Sequence, residues 1–444
     1  MTDRQSETRP AGVSEGTKQA GEVRARWAWT EPEVWTERML TTLETGVKGG
    51  KWFSLIDKGY APAPLRKAFE RVKANGGSAG VNRQTIEMYE ARLEENLCRL
   101  SESLRDGTYR PEPIRRVWIP KPGTSERRPL GIPTVQDRVV QTALRNLMEP
   151  IFERDAAEHS YGFRPGRGCK DALRRVDGLL KSGHTWVVDA DLKSYFDTIP
   201  HDRLREQIEA KISDGRVLDL VKGYLTQKVM DTLKGWTPER GSPQGAVISP
   251  LLSNIYLDPL DHLMAKRGFP MVRYADDFVL LCRSQEEAQR ALEAVRAWTA
   301  QAGLTLHPEK TRIVDATQRG GFDFLGYHFE RGYRWPRTKS LRKFTDAIRS
   351  KTPRTNGNRL ADIISDVNRT LVGWFEYFQH SYRRTFPYLD GWVRMRLRSI
   401  LRRRCGRRGR GRGRDHHRWP NAFFAKQGLF SMTAAHALAC QPSG

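Results

Sequence analysis

Two adjacent acids between two apolar runs constrain this chain more than any other feature of its sequence. Residues 271–282 read MVRYADDFVLLC, so Asp276 and Asp277 lie between two runs of strand-forming residues. The pattern predicts a β-hairpin with both carboxylates at its tip. One interpretation is a hairpin whose turn carries acids by chance. However, Asp-Asp is a poor hairpin turn because like charges repel, and the apolar flanks favour a buried tip, where carboxylates would share a cation.

A third carboxylate is expected on a neighbouring strand. The segment TWVVDADLKSYFD alternates, which puts Asp189 and Asp191 on one face, with Asp191 at the end of the strand. We expect Asp191, Asp276 and Asp277 to share two Mg²⁺ ions ~4 Å apart, an arrangement that clamps the attacking and leaving oxygens of a phosphoryl transfer. We interpret Asp189 and Asp197 as surface or helix-capping acids.

The segment GSPQGAVISPLLSN at 241–254 has two interpretations. It can be a plain loop that enters a helix and packs through its apolar residues. It can also be a ligand loop, in which Gly245 lets the backbone approach a flat ligand and Gln244 hydrogen-bonds a nucleotide or template. The second interpretation needs the same geometry as the first, a loop that enters a helix. Helix N-termini also favour the binding of phosphate.

The charge balance predicts a polyanionic partner. Lys and Arg number 76 against 52 acids, a formal charge of +24, so nucleic acid is the leading candidate and an anionic membrane surface the second. A membrane partner is disfavoured because the sequence has no run of ~18 apolar residues. The five cysteines are scattered without a C-x-x-C pair, which indicates a reducing compartment, and the N-terminus does not resemble a signal peptide. We therefore expect a cytoplasmic protein.

Helical patterns occupy much of the remaining chain. A capping box predicts a helix over 284–303, and apolar residues at helical spacing predict another over 360–378. Within residues 27–58 one helix is predicted, which starts near Trp27 and ends at Gly49–Gly50, and the polar residues 1–26 are predicted to be disordered. The range 394–418 contains twelve arginines and one acid. It is either a disordered basic tail or a clamp for an RNA backbone, and we expect the clamp.

The order of the motifs resembles the reverse transcriptases encoded by group II introns. The palm motifs of that family are matched in order by DADLKSYFD, GSPQG, YADD, GLTLHPEKT and FDFLGYHF. The segments IPKPGTSERRPLGIP and SYGFRPGRG are similar to its finger blocks, and NRTLVGWFEYFQH to its maturase X domain. Because no paired cysteines of an HNH nuclease follow, the chain resembles the endonuclease-lacking bacterial class, often called IIC.

The resemblance implies an α+β fold of the right-hand polymerase type, with fingers, a palm built on an antiparallel sheet and a helical thumb. The implied division has four parts. They are a disordered tail at 1–26, an N-terminal extension and fingers at 27–185, a palm at 186–335 that includes part of the fingers at about 205–240, and a thumb or maturase X domain at 336–444.

The resemblance also assigns roles to single residues. The catalytic, metal-binding acids of the family match Asp191, Asp276 and Asp277. Positions that hold the incoming nucleotide match Lys121, Arg128, Phe196, Gln244 and Lys310. The first two would hold the triphosphate, Phe196 would stack under the sugar and exclude a 2′-OH, and Lys310 would help to protonate the pyrophosphate. From the residues alone, the bland interpretations are solvated loop charges for the first two and core packing for Phe196.

The implied activity is RNA-directed DNA synthesis, in which a primer 3′-OH attacks a dNTP with two Mg²⁺ ions that Mn²⁺ can replace. The implied partners are group II intron RNA, an RNA template with a DNA primer, dNTPs and target DNA, without a membrane. The implied location is the bacterial cytoplasm, with association to the nucleoid during retrohoming. Intron RNA is expected to contact Arg402, Arg403, Arg404, Arg407, Arg408 and Arg410.

Two alternatives stay open at this point. The palm could have lost its activity, which would leave a maturase-only RNA-binding splicing cofactor. The chain could also be another bacterial reverse transcriptase, such as a retron or CRISPR-associated enzyme. The intact set of Asp191, Asp276 and Asp277 disfavours the first alternative.

Overall fold

The structure is a computed structural model that describes residues 22–47, 49–120, 127–231 and 234–440. The strands of this described part form three sheets. In chain order the strands are β1 (Ile114–Pro120), β2 (Arg127–Ile132), β3 (Trp186–Asp191), β4 (Val229–Asp231), β5 (Lys234–Trp236), β6 (Met271–Tyr274), β7 (Asp277–Cys282), β8 (Arg312–Asp315), β9 (Phe322–Phe324), β10 (Tyr327–Glu330) and β11 (Tyr333–Pro336).

Helices surround these sheets. In chain order they are α1 (22–26), α2 (Glu37–Thr45), α3 (Ile56–Gly59), α4 (Pro62–Asn75), α5 (Ile86–Glu90), α6 (Leu93–Arg105), α7 (Val135–Glu153), α8 (Cys169–Lys181), α9 (Tyr195–Thr198), α10 (His201–Glu209), α11 (Gly215–Leu225), α12 (Ser249–Lys266), α13 (Gln285–Gln301), α14 (Thr338–Lys351), α15 (Leu360–Phe378), α16 (Thr385–Arg404), α17 (Arg414–Arg418), α18 (Asn421–Lys426) and α19 (Met432–Ala439).

The central sheet has the strand order β6-β7-β3-β8 and is antiparallel throughout. Alternation along β7 sends Phe278 and Leu280 into the main core, which α12 and α13 also enter, and Val279 and Leu281 into a second cluster on the opposite face. Both faces of the sheet are therefore covered, which accounts for the apolar residues on either side of the acids. The expected α+β class with an antiparallel palm sheet is confirmed.

The second sheet joins distant parts of the chain. Its order is β2-β1-β4-β5, with β1 and β4 parallel and the other pairs antiparallel. The hairpin of β1 and β2 comes from the predicted finger region, and the hairpin of β4 and β5 comes from within the predicted palm. This pairing favours the expectation that residues at about 205–240 belong partly to the fingers.

The C-terminal part is helical and has its own core. Helices α14, α15 and α16 bury a shared cluster that includes Phe344, Val367, Phe375 and Leu397. Helix α15 confirms the helix predicted over 360–378. Helix α13 confirms the other predicted helix, with the N–H of Glu287 donating to Ser284 Oγ at 3.2 Å. No helix in the described part of the chain is long and apolar enough to cross a membrane.

The prediction of one helix over 27–58 is wrong. Residues 27–36 form turns, since Pro32 lacks the N–H that a helix interior needs, and α2 ends where Gly46 takes a φ of 99°. Tertiary contacts also hold this segment. For example, Trp35 Nε1 donates to the carbonyl of Asn146 in α7 at 3.0 Å.

The predicted disorder of residues 1–26 extends too far. Residues 22–26 form α1 because they have partners in the fold. Val23 packs against the main core, and Arg24 Nη1 donates to the carbonyl of Trp35 at 3.1 Å. Residues 1–21 lie outside the described residues, so their disorder stays a prediction.

Candidate active site

Two neighbouring strands bring the three predicted acids to one end of the central sheet. In the antiparallel pair of β3 and β7, Asp191 lies directly opposite Asp277, so both side chains leave the sheet on the same face. Asp276 occupies the two-residue turn between β6 and β7, after Ala275, which has a φ of 60°. Residues that are far apart in the sequence therefore meet at this turn.

The acids at this end of the sheet repel one another. Burial, followed by the charges of Asp189, Asp276 and Asp191, raises the pKa of Asp277 to about 7. Burial also raises the pKa of Asp276, and the charge of Asp191 adds to that rise. Clustered carboxylates with raised pKa values are typical of functional sites.

The donor set suits a divalent cation, although the side chains are not arranged around one. Carboxylate oxygens are the ligands that Mg²⁺ prefers, and a cation would relieve the repulsion that raises the two pKa values. Among the residues that the structure describes, no three histidine, cysteine or acidic side chains form a group that could hold a metal ion. Asp191 Oδ2 instead lies 2.6 Å from Lys310 Nζ. The metal-binding role of Asp191, Asp276 and Asp277 therefore stays a prediction.

Lys310 lies beside the acids because the segment after α13 contacts the end of β3. The N–H of His307 donates to the carbonyl of Asp191 at 2.7 Å, and Leu192 and Leu306 form an isolated β-bridge. These contacts place the Lys310 ammonium group at the carboxylate of Asp191. The arrangement is compatible with a proton donor near the acids, and that role stays a prediction.

The interpretation of Asp189 as a surface or capping acid is wrong. The pairing of β3 with β8 sets Asp189 opposite Arg312, whose Nε lies 3.4 Å from Asp189 Oδ2. The Asp189 side chain is 19% exposed, and burial raises its pKa. Alternation along β3 carried the signal, because Asp189 shares the face of Asp191. Asp197, by contrast, is exposed.

Phe196 and Gln244 border one cleft of about 640 Å³. Phe196 is half-buried, whereas its neighbour Tyr195 is buried and donates its hydroxyl to the carbonyl of Ser253 at 2.8 Å. The alternative of simple core packing therefore describes Tyr195 better than Phe196. Gln244 Nε2 lies 3.5 Å from Asp197 Oδ2. The contacts of Phe196 and Gln244 with a nucleotide stay predictions.

Contacts within the protein give a reason for glycine at position 245. Gly245 has a φ of 102°, and a Cβ atom there would lie 2.6 Å from the carbonyl oxygen of Gly131 in β2. The N–H of Gly131 also donates to the carbonyl of Gln244 at 2.7 Å. The close approach that the structure shows is between two segments of the protein, and the approach of Gly245 to a flat ligand stays a prediction.

The other two predicted nucleotide-binding residues belong to the hairpin of β1 and β2. Arg128 is exposed and lies opposite Ile119. Lys121 lies outside the described residues. Their contacts with a triphosphate stay predictions.

A buried network beneath the turn was missed in the sequence. Arg273 in β6 is 1% exposed, and its Nη1 donates to the carbonyl of Ala275 at 2.9 Å. Its Nε donates to Asp261 Oδ1 in α12 at 2.8 Å. The signal was present, because an arginine within the apolar strand MVRY requires a buried acidic partner.

The Arg-rich segment forms the end of α16, a loop and α17. Two of the predicted RNA-binding arginines have partners within the protein: Arg402 Nη1 lies 2.6 Å from Asp415 Oδ2, and Arg404 Nη2 donates to the carbonyl of Asn356 at 3.1 Å. These two side chains hold the C-terminal loops, a role that their positions in a basic run did not predict. The exposed members of the predicted set are Arg403, Arg404, Arg407, Arg408 and Arg410, whereas Arg402 is half-buried.

Two family models match consecutive parts of the chain. Residues 119–329 match a model described as reverse transcriptase (RNA-dependent DNA polymerase). Residues 341–419 match a model described as the group II intron, maturase-specific domain. The first range contains the three acids and the predicted nucleotide-binding residues, and the second contains the predicted RNA-binding arginines.

Several known proteins are similar to this chain. Protein YkfC of Escherichia coli is 34% identical over 69% of this chain and 86% of its own length. The group II intron-encoded protein LtrA of Lactococcus lactis is 37% identical over 44% of this chain and 32% of its own length. Among solved structures, a chain of the partial Cas6-RT-Cas1–Cas2 complex aligns with a TM-score of 0.36 and 24% identity, over 56% of this chain and 41% of that chain.

The match to YkfC spans most of both chains, and the two family models follow one another in the order that the motifs predicted. This protein therefore belongs to the family of group II intron-encoded reverse transcriptases with a maturase domain.

Proposed function

We propose that the protein extends a DNA primer on an RNA template with dNTPs, and that it also binds group II intron RNA to assist splicing and insertion into target DNA. The observation that carries the proposal is the position of Asp191 opposite Asp277 and beside the turn residue Asp276. Within a chain of the reverse transcriptase family, this is the place where three acids from distant segments converge.

Enzymes of this family use divalent metal ions, and we propose two Mg²⁺ ions, which Mn²⁺ can replace. Asp191, Asp276 and Asp277 would hold the ions through carboxylate oxygens. When bound, such ions lower the pKa of the primer 3′-OH and neutralise charge on the departing pyrophosphate.

The remaining predicted residues would orient the nucleotide and move a proton. Arg128 would hold the triphosphate through its fork of N–H donors, together with Lys121. Phe196 would contact the sugar, and a 2′-OH would clash with its ring. Lys310, whose Nζ lies 2.6 Å from Asp191, would donate a proton to the pyrophosphate as its bond to the α-phosphorus breaks.

We also propose the division of the chain that the motifs predicted. Residues 27–185 would form the N-terminal extension and fingers, 186–335 the palm, and 336–444 the thumb and maturase domain. The match to the maturase-specific domain at 341–419 and the exposed arginines of the same region support binding of intron RNA there. The splicing chemistry would remain with the RNA.

The test is primer extension on an RNA template in the presence of Mg²⁺. We expect Asp276→Asn to reduce the extension rate by at least ~10³-fold, because the amide removes a charged metal ligand. Binding of intron RNA should stay within about threefold of wild type, since Asp276 lies outside residues 341–419, which match the maturase-specific domain. Asp202→Asn in α10, an exposed acid, is the matched control and should extend normally.

Two results would contradict this proposal. Extension by Asp276→Asn at more than a tenth of the wild-type rate would show that the acids are misassigned. Binding of intron RNA by a wild-type protein that extends no primer with either Mg²⁺ or Mn²⁺ would favour the second candidate, a maturase without polymerase activity, which the maturase-specific match supports.

A further inference from the structure

The turn that carries Asp276 has a backbone that needs support. It joins β6 to β7 through only Ala275 and Asp276, and Ala275 adopts a φ of 60°. In this left-handed region the Cβ atom of an L-residue lies too close to the following carbonyl oxygen, which costs free energy relative to ordinary conformations. The repulsion between Asp276 and the neighbouring carboxylates adds to that cost. Such a conformation persists only where surrounding contacts impose it.

We propose that Arg273 is a positioning residue for the polymerase reaction, which fixes the turn so that the oxygens of Asp276 and Asp277 lie where metal ions and substrate need them. This inference rests on the proposed function. Arg273 does not reach the reacting atoms itself; it acts through the backbone of Ala275.

One side of the Arg273 guanidinium is fixed by a buried acid. Nε lies 2.8 Å from Asp261 Oδ1, and Nη2 lies 2.5 Å from Asp261 Oδ2, so the pair is bidentate. The two side chains are only 1% and 5% exposed. A buried ion pair adds little net stability because both charges lose water. Its value here is that α12, which carries Asp261, gives the guanidinium one orientation.

The other side of the guanidinium holds the turn. Nη1 donates to the carbonyl of Ala275 at 2.9 Å and to Asn254 Oδ1 at 3.0 Å. Asn254 Nδ2 in turn donates to the carbonyl of Gly162 at 2.8 Å. The side chains of Arg273 and Asn254 together therefore connect α12, the turn and the segment around Gly162.

The backbone at Gly162 packs directly against the turn. A Cβ atom at Gly162 would collide with the backbone N of Ala275. The same segment pairs with β6, since the N–H of Tyr161 donates to the carbonyl of Arg273 at 2.9 Å and the N–H of Arg273 donates to the carbonyl of His159 at 3.0 Å. The turn therefore lies between a guanidinium and a backbone, and it cannot move without breaking one of these contacts.

The test replaces the fork of donors while it keeps the charge. Arg273→Lys keeps a cation opposite Asp261 but cannot reach Asp261, Asn254 and Ala275 at once. We expect kcat for primer extension to fall about tenfold or more, and the Mg²⁺ concentration for half-maximal rate to rise about tenfold, because residues that orient metal ligands affect metal affinity on this scale. The KM for the primer–template should change less than about twofold.

A second variant tests the positioning role in case Arg273→Lys does not fold. Asn254→Ala keeps the Arg273–Asp261 pair whole and removes one contact from the same guanidinium, so we expect a smaller shift of the Mg²⁺ midpoint in the same direction. Gly178→Ala in α8, where a Cβ would meet nothing within 4 Å, is the control and should leave the midpoint unchanged.

The outcomes separate this inference from the proposed function. If both variants change only the melting temperature, or the fraction of active protein, while the Mg²⁺ midpoint stays at the wild-type value, Arg273 is merely structural and the inference is wrong. If the wild-type protein extends no primer, the proposed function is wrong, and the inference that rests on it is wrong as well. If the midpoint rises in one or both variants and kcat falls, the positioning role is supported.

Discussion

At the scale of single residues, the folded protein destabilises the ionised form of Asp277. Burial and three neighbouring carboxylates raise its pKa from 3.8 to about 7. The unfolded chain ionises this group in water near pH 4, whereas the metal-free folded protein ionises it only near pH 7. The folded state therefore binds more protons between these values, and this group makes folding less favourable as the pH rises from about 4 to about 7.

We expect Asp277→Asn to raise the free energy of unfolding of the metal-free protein at about pH 8 by on the order of 1 kcal/mol, because an amide places no charge in the buried site. The gain should shrink towards about pH 5, where the folded wild type holds Asp277 protonated. Denaturant unfolding at both pH values measures the effect.

Asp202→Asn is again the control, since that acid is exposed. Addition of Mg²⁺ should stabilise wild type more than Asp277→Asn, because a ligand that binds only the folded state raises its stability. If Asp277→Asn raised the free energy of unfolding equally at both pH values, the raised pKa of Asp277 would be contradicted.

Single residues also show what spacing and alternation can predict. The acids Asp191, Asp276 and Asp277 were identified from their positions at strand ends, and the structure brings them to one end of the sheet. For Arg402 the sequence did not reveal the internal partner Asp415, which is thirteen residues away across a loop, and the contact of Arg402 with RNA stays a prediction. A basic run indicates a nucleic-acid surface, but it does not reveal which of its side chains already have partners.

At the scale of elements, the hairpin of β6 and β7 depends on the segment before α8. Gly162 lies against the turn so closely that no side chain fits between them. The hairpin therefore owes its shape to a segment outside its own sequence. This explains how a turn with a poor sequence, Ala-Asp, forms between two strands at all.

We expect Gly162→Ala to reduce the rate of primer extension by at least about tenfold, because the added methyl group displaces the turn and a small misplacement at a catalytic site has effects of this size. Steady-state extension on an RNA template measures the change. Gly178→Ala, which meets open space in a helix, should extend at the wild-type rate. A wild-type rate for Gly162→Ala would show that the turn tolerates displacement.

Elements with local stop signals were predicted well, and elements held by remote contacts were not. Helix α13 has a side-chain cap at Ser284 and an amphipathic face, both visible in the sequence. The range 27–58 lacks such consistency, since it contains Pro32 and several glycines, and its burial depends on contacts such as that of Trp35 with Asn146. The strand pairing of β1 with β4 likewise joins segments that no local pattern connects.

At the scale of the whole molecule, the positive charge is the feature most relevant to partners. The formal net charge is +24, and the maturase region contributes exposed arginines at the C-terminal end of α16 and in the loop that follows. Binding to a nucleic-acid backbone releases counterions, so affinity should fall steeply as salt rises.

We expect replacement of Arg403, Arg407, Arg408 and Arg410 by Gln to reduce the slope of log affinity for intron RNA against log salt by ~0.7–0.9 for each phosphate that is no longer neutralised. Binding titrations at several salt concentrations measure the slope. The same four positions changed to Lys keep the charge and should keep most of the slope. Primer extension should change little in either variant. An unchanged salt slope in the Gln variant would exclude this surface as the RNA-binding site.

The sequence by itself determined which residue types stand at strand ends, which segments are amphipathic, and which charge the surface carries, because these depend on local periodicity and composition. Only the tertiary structure decided that the half-buried Asp189 pairs with Arg312, that Arg273 and Gly162 hold the turn, and that the two hairpins of the second sheet pair. Each of these contacts joins residues far apart in the chain, and its energy exists only once folding has brought both partners together and removed water from between them.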